Sequence, residues 1–395
     1  MPRPGPVVSF SLPPDPETVE GNPTLALPTS RGVLVLSSHD TAVLVVETAN
    51  LRDAARRKLA PPGEQGRSGR GVDFAAITTR VEAFAARTHF EGRLLELDLA
   101  RERMPTTYRN GFHRMQTWCV ALYPDATPPR LEYIPTHTLD DLADTRPRPL
   151  LLGPIRDKHK AGRAVEGIVD IFELCRFPAE LARAPQGTPC VYKEMGRCPA
   201  ACDGSESLDA YRTRMRGAEE LIVRPEAWKD ARQAEMQEMA SAHDFEAAGS
   251  VKRRLDAATR MTDDGGRRWM TRVSSLRLLI AAATDTPEEA ALLLLTPTRL
   301  HDCGVINLST GAAGLEQTRA SIAEAASRED EDPIDRPAAD RLAFVADWQY
   351  TARRGAAFVA WDASGSPDLA ALVRLSHKSR RDDDETDRFQ QDAGS

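Results

Sequence analysis

A chain of 395 residues carrying 52 Lys and Arg against 59 Asp and Glu, with net charge −7, exceeds one typical domain and is not a polycation. Its 41% hydrophobic content is enough for a packed core, but no run approaches the roughly 18 apolar residues of a membrane span, which excludes an integral membrane protein built of helices. Six cysteines in a chain that opens MPRPGPVVSF, with no charged-then-apolar leader, argue against a secreted disulfide framework and for reduced, cytoplasmic thiols.

Residues 1–30 are proline-rich and aperiodic, so a disordered or loosely attached leader is expected there. From Gly32, the β-branched runs GVLVLSS and TAVLVVET around the Ser38, His39 and Asp40 turn predict a hairpin, followed by a helix from Asn50 to Leu59. A Gly/Pro-rich loop fills 61–72. Helices are expected around 73–86 and from Phe90 to Arg103, the latter stopped by Pro105. Trp118 to Leu122 and Arg130 to Ile134 read as strands, completing a small α/β unit over 31–150.

Beyond 153 the pattern turns helical around a thiol cluster. Cys175, Cys190, Cys198 and Cys202 are separated by fourteen, seven and three residues, whereas Cys119 and Cys303 stand alone. Zinc and an iron–sulfur cluster both accept four thiolates, and with no CxxC pair the spacing separates them weakly. Ordinary buried cysteine is the plainer alternative. Gly196, Pro199 and Gly204 count against it, because they interrupt regular structure and produce the turning loop that a metal centre needs. Leu208, Tyr211, Met215, Ala218 and Leu221 recur at helical steps and predict an amphipathic helix over 205–222.

In 226–258, Met236, Met239 and Ala240 share a face, the pattern breaks at His243 and Asp244, and it resumes through Phe245, Ala248 and Leu255, as in an antiparallel helical hairpin. After the linker TDDGG, LRLLIAAAT, AALLLLTP and AAFVAWD read as strands, and 313–328, 337–353 and 367–376 as helices. These suggest a C-terminal α/β domain over 270–377, interrupted by the acidic loop REDEDPIDRP and followed by a charged, structureless tail from 378. The fold class is α/β, of the α+β kind. Basic clusters at 52–58, 156–160 and 251–255 each read, taken singly, as a solvated helix face.

Two segments carry a resemblance. GPIRDKHKAGRAVEGIVDIFELC, leading to Cys175, and TPCVYKEMGRCPAACDGSESLDAY, with its Cys, seven residues, Cys, three residues, Cys, resemble the middle of the bacterial excinuclease UvrC family. The resemblance implies a 4Fe-4S cluster on Cys175, Cys190, Cys198 and Cys202, with Zn2+ as the alternative. The hairpin at 226–262 resembles the UVR motif through which that family meets UvrB. Met236, Ala240, Phe245, Glu246, Ala248 and Lys252 fall on its pattern, with Lys252 where Arg is usual. An apolar seam anchored by Phe245 is the physical basis for a shared interface; packing within its own hairpin is the plainer account of that ring.

The N-terminal unit resembles the family's GIY-YIG nuclease domain with most of its key positions substituted. Leu34 stands in place of the first-strand Tyr, Leu44 and Val46 in place of the second-strand Tyr and Gly, and Ala54 in place of the helix Arg. FEGRLLELDLARERMP resembles the glutamate helix and places Glu96 on the metal-binding carboxylate, with the following Asn at or near Tyr108 or Asn110. Phosphodiester hydrolysis needs a proton acceptor, a divalent ion and a cation in the transition state, and Leu34, Leu44 and Ala54 supply none of these. Glu96 alone holds at most a weak Mg2+. The family's RNase H-like nuclease has no counterpart: His301, Asp302, Asp347 and Asp362 form no metal-binding pattern, and 271–376 is short for that domain.

The resemblance therefore implies a cytoplasmic, UvrC-like protein of nucleotide excision repair that binds DNA and UvrB with a disabled or weakened nuclease. Phosphate contacts would come from Arg52, Arg56, Arg57 and Lys58 and from Arg156, Lys158, Lys160 and Arg163. An active, metal-dependent endonuclease cutting once and an interaction scaffold that never touches DNA are the alternatives.

Overall fold

The computed structural model describes residues 5–12, 23–60, 72–112, 115–262, 271–310, 322–324, 333–351 and 355–360. Its chain is α/β and packs as two units, one drawn from Met1–Met115, Arg277–Glu329 and Thr351–Ser395, the other from Gln116–Leu276 and Asp330–Tyr350.

In the first unit, β1 (Val8–Ser11), β2 (Gly32–Ser38), β3 (Thr41–Thr48) and β4 (Arg80–Ala85) form an antiparallel sheet in the order β1-β4-β2-β3. The expected hairpin closes at His39, which takes the left-handed conformation (φ 52°), and its ladder runs from Gly32 opposite Thr48 to Ser38 opposite Thr41. Alternation along β2 sends Leu34 and Leu36 to the face covered by α1 (Leu51–Lys58), and Val33 and Val35 to the face that meets Leu95 and Leu99 of α3 (His89–Arg103). Asn50 and Thr88 start these helices by accepting the backbone N–H groups of Asp53 and Glu91.

Two expectations are corrected here. The helix expected over 73–86 is only the short α2 (Phe74–Ile77), and β4 takes the rest, because Val81 and Ala83 serve the α1 face while Phe84 serves the α3 face, a period of two. Within the expected leader, Val8–Ser11 pairs with β4 and Leu27 is fully buried, so strand pairing and burial fix the described parts of 1–30. Most of the Gly/Pro-rich loop, the TDDGG linker, most of helix 313–328, helix 367–376 and the tail from 378 lie outside the described residues.

The second unit begins with β5 (Trp118–Tyr123), β6 (Arg130–Pro135) and β7 (Leu150–Ile155), an antiparallel sheet in the order β6-β5-β7. Val120, Leu122, Leu131 and Leu152 pack against Ala161, Ala164 and Ile168 of α5 (Lys158–Phe172), which draws this sheet away from the unit expected to end near 150. The same core takes Tyr211, Met215, Ala218 and Leu221 of α8 (Leu208–Val223), the stripe that their spacing predicts. Between α5 and α8 lie the short helices α6 (Pro178–Leu181) and α7 (Val191–Glu194). The expected hairpin is α9 (Pro225–Ser241) and α10 (Phe245–Thr262), with His243 at φ 61° in the turn.

The chain then returns to the first unit. There β8 (Leu278–Ala283), β9 (Glu289–Leu295), β10 (Leu300–Asn307) and β11 (Ala356–Ala360) form a second sheet in the order β10-β9-β8-β11. Helix α11 (Arg336–Tyr350) instead belongs to the second unit, where it packs on β7 and on a 3-10 turn at Thr136–Leu142. Residues 270–377 thus do not close on themselves. Thr88 bridges Thr284, Arg87 pairs with Asp302 at 2.9 Å and Phe90 meets Phe358 edge-on at 6.2 Å, fastening the strands to α3.

Candidate functional site

Helix α5 ends where Glu173 turns left-handed (φ 51°), and the chain leaves toward Cys175. Two residues of α8, one turn apart, hold that exit. The Tyr211 hydroxyl accepts the Cys175 N–H at 3.3 Å, and the Arg214 guanidinium donates to the carbonyls of Phe172, at 3.0 Å, and Glu173 while pairing with Glu206. Farther along, Gly187 N–H donates to the Cys202 carbonyl at 2.8 Å. A Cβ at 187 would lie 2.4 Å from the Glu180 carbonyl oxygen, so this close approach requires glycine. Ala200 (φ 64°) and Gly204 (φ 82°) bend the chain around Cys202, and Lys193 ties the loop by reaching Asp203 at 2.5 Å and Ser205 at 2.7 Å.

This framework turns backbone N–H groups onto sulfur. Phe177 N–H donates to Cys175 Sγ at 3.4 Å, Ala200 N–H to Cys198 and Asp203 N–H to Cys202. The Cys175 thiol hydrogen-bonds Cys198, which, with the Ala200 N–H and the nearby Arg214 charge, outweighs burial and brings Cys198 down to about 6. Donating that proton and being buried push Cys175 up. Burial, then the charges of Asp203 and Cys198, raise Cys202, which also feels Cys190. The four cysteines of the sequence cluster are therefore brought into one loop. Among the described residues no three His, Cys, Asp or Glu side chains stand as a ready-made metal site. The donor chemistry nevertheless fits a thiolate-ligated centre: four unbridged thiols within electrostatic reach, three of them accepting backbone N–H groups that stabilise charged sulfur. Burial drives Cys119 and Cys303 the other way, up to about 12 and about 11, as for inert core thiols.

In the first unit, Leu34, Leu44, Val46 and Ala54 meet in one apolar cluster with Leu36, Leu51 and Val81. Glu96 is not among them. It is buried on α3, where it accepts from the Arg93 guanidinium and from the Glu47 backbone N–H. Burial raises its carboxyl against the pull of Arg93, and Glu47 adds a like charge. Sequence reasoning missed the company that Glu96 keeps. Glu47 is held by Arg31 at 2.7 Å and by His89 Nδ1 at 3.1 Å, and these contacts outweigh burial and keep its carboxyl below the ordinary range. The available signal was a lone glutamate ending the apolar run AVLVVET opposite a helix glycine, since a Cβ on Gly92 would sit 2.8 Å from Glu47 Cγ. Tyr108 and Asn110 lie on the short helix α4 (Tyr108–Phe112).

The basic residues divide by burial. Arg52 is committed to the Leu27 carbonyl at 2.8 Å, whereas Arg56, Arg57 and Lys58 are exposed on the last turn of α1. Arg156, Lys158, Lys160 and Arg163 are exposed around the start of α5. On the hairpin, Ala248 is buried and Met236 and Ala240 are half-buried, while Glu246 and Lys252 face water. Phe245, at the tip, is 68% exposed, its ring tilted against His243 with 5.9 Å between centroids. No helix among the described residues is long and apolar enough to cross a membrane.

Residues 126–221 match the family "UvrC/Cho excinuclease, middle domain", a span that holds all four clustered cysteines, α5 and most of α8 but neither Glu96 nor the hairpin. The UvrABC system protein C of Natronomonas pharaonis is 25% identical over 244 residues, 60% of this chain and 39% of that protein. That of Haloquadratum walsbyi is 24% identical over 230 residues, covering 58% and 37%. A Ruegeria protein of the same name is 25% identical over 246 residues, covering 61% and 36%. The chain thus spans little more than a third of these relatives. No solved structure matches it.

Proposed function

We propose that this chain, whose residues 126–221 match the UvrC/Cho middle domain, serves nucleotide excision repair as a non-cutting accessory that binds DNA and a UvrB-like partner. One observation carries the loss of cutting: the positions expected to hold the two tyrosines, the glycine and the arginine of the nuclease are aliphatic and share one apolar cluster, Leu34 and Ala54 buried within it and Leu44 and Val46 half-buried against it. Aliphatic side chains there neither accept a proton nor offset phosphate charge. The strand, strand, helix, strand, glutamate-helix order of β2, β3, α1, β4 and α3 supports reading the unit as a GIY-YIG-like scaffold, and the Arg93 and Glu47 contacts leave Glu96 engaged rather than set out for Mg2+.

Cys175, Cys190, Cys198 and Cys202 would hold a 4Fe-4S cluster, or Zn2+ in its place. The group when bound would supply four metal–sulfur bonds that cross-link the loop, and redox capacity if it is iron–sulfur. The chain's own contribution is to aim N–H groups at three of the sulfurs and to anchor the Cys175 arm to α8 through Tyr211 and Arg214. The half-buried seam of α9 and α10 with the exposed Phe245 at its tip supports the UVR reading, since a water-facing aromatic at a hairpin end is the anchor such an interface uses.

The test is an incision assay on damaged duplex with Mg2+ or Mn2+, run beside a binding titration. The expected result is salt-sensitive binding without nicking. Metal-dependent nicking abolished by Glu96→Gln would establish the single-cut enzyme instead, and no DNA binding at low salt would favour the scaffold.

A further inference from the structure

At the start of β5 and on β6, Trp118 and Tyr133 pack edge to face, their ring centroids 5.7 Å apart at 66°. Lys158, the first residue of α5, places its ammonium 5.6 Å from the Trp118 ring centre and 6.0 Å from that of Tyr133. Core packing accounts for Trp118, which lies against the apolar cluster of the second unit. It does not account for Tyr133, whose side chain stays 37% exposed on the same sheet. Gly162 of α5 also lies beside this ring: a Cβ there would reach 3.9 Å from Tyr133 Cε1, so glycine leaves that edge of the ring without a covering side chain. Arg156, Lys160 and Arg163 stand exposed within the same turns. The acid among them, Asp157, is engaged as the helix cap, accepting Lys160 N–H at 2.8 Å.

A part-exposed aromatic ring beside Lys158, with further exposed cations around the same helix start, has a definite chemical complement. The ring stacks a flat, π-rich base, and the cations meet the phosphates on either side of it. Bases inside a duplex present no free face, so the occupant must be unpaired. We infer that Tyr133, backed by Trp118, is a stacking platform for a base of single-stranded DNA, with Lys158, Arg156, Lys160 and Arg163 holding the flanking backbone. Lys158 exchanges its place over the rings for a phosphate as the base arrives. This rests on the DNA-binding reading above and adds to it a preference for an opened or damaged strand.

The test measures binding of the full chain to fluorescein-labelled oligo-dT and to a blunt duplex of equal length, each across a salt series. Tyr133→Ala is expected to weaken oligo-dT binding about 5-fold or more, leave duplex binding within about twofold, and keep the salt slope, since no phosphate contact is lost. Tyr133→Phe is expected to retain binding, because the ring is what acts. Lys158→Ala is expected to weaken both and lower the slope by about one. A Tyr133→Ala protein that binds oligo-dT normally, or loses both DNAs equally, overturns the platform alone. Failure of the unsubstituted chain to bind either DNA at low salt overturns the DNA-binding reading and the platform with it.

Discussion

The cysteine loop and the α1 face of the first sheet are the two places where the resemblance implies chemistry, and packing treats them in opposite ways. In the loop, polar groups converge on the reactive atoms: N–H groups point at sulfur, a guanidinium sits beside Cys198, and Ala200 takes a left-handed conformation that costs about 1 kcal/mol for a residue with a Cβ. On the sheet, Leu34, Leu44, Val46 and Ala54 merge with Leu36, Leu51 and Val81 into continuous apolar contact. Each such aliphatic residue gains up to about 1.5–3 kcal/mol from burial. The lesson is an asymmetry: a catalytic face can be filled in at a gain in stability, whereas a strained, donor-lined loop has no such cheap replacement.

The comparison breaks or sharpens at three points. The largest effect is expected at Cys198→Ser: in protein purified without air, the metal content and broad visible absorption proposed for an iron–sulfur centre in the loop should be lost. A variant with undiminished metal and colour would remove the loop from the comparison, and a colourless parent with stoichiometric zinc would assign zinc. Next is Leu34→Tyr, which introduces the tyrosine that the nuclease resemblance implies at that position. A larger ring and a hydroxyl without a partner in that core should cost about 2–5 kcal/mol in urea unfolding and bring no incision; a neutral substitution would mean that the face is open after all.

The smallest effect is expected at Glu47→Gln, about 1 kcal/mol at neutral pH. Because Arg31 and His89 hold the Glu47 carboxyl below its ordinary value of 4.5, its stabilisation is complete above that value and fades as pH falls through the lower, folded-state value. The wild-type advantage should therefore be present at pH 7 and vanish in acid. An advantage that grows on acidification would contradict the charged contact.

Much of this was legible because local patterns were strong. The β2–β3 hairpin declared itself by β-branched runs, α8 by its stripe of Tyr211, Met215, Ala218 and Leu221, and the α9–α10 hairpin by the break at His243. What failed depended on distant partners. β4 was hidden because VEAFA has weak strand propensity and becomes a strand only between β1 and β2. β10 was hidden by its half-buried His301 and exposed Asp302 and by the bulge between Asp302 and Val305, where Gly304 sits at φ 95°. The surroundings of Glu96 were illegible for the same reason: Arg31, Glu47 and His89 come from separate elements, and no spacing rule joins them.

The placement of α11 bears on how the protein is made. Its Tyr350 hydroxyl donates to the Pro154 carbonyl, 196 residues back, and its Arg336 reaches Asp140 at 2.5 Å. A nascent chain emerging at about 5–20 residues per second must therefore hold β7 and the turn at Thr136–Leu142 in waiting for many seconds before this helix arrives. During that interval the Pro154 carbonyl and Asp140 lack the partners that the finished chain gives them, so the order of synthesis decides when this end of the second unit closes.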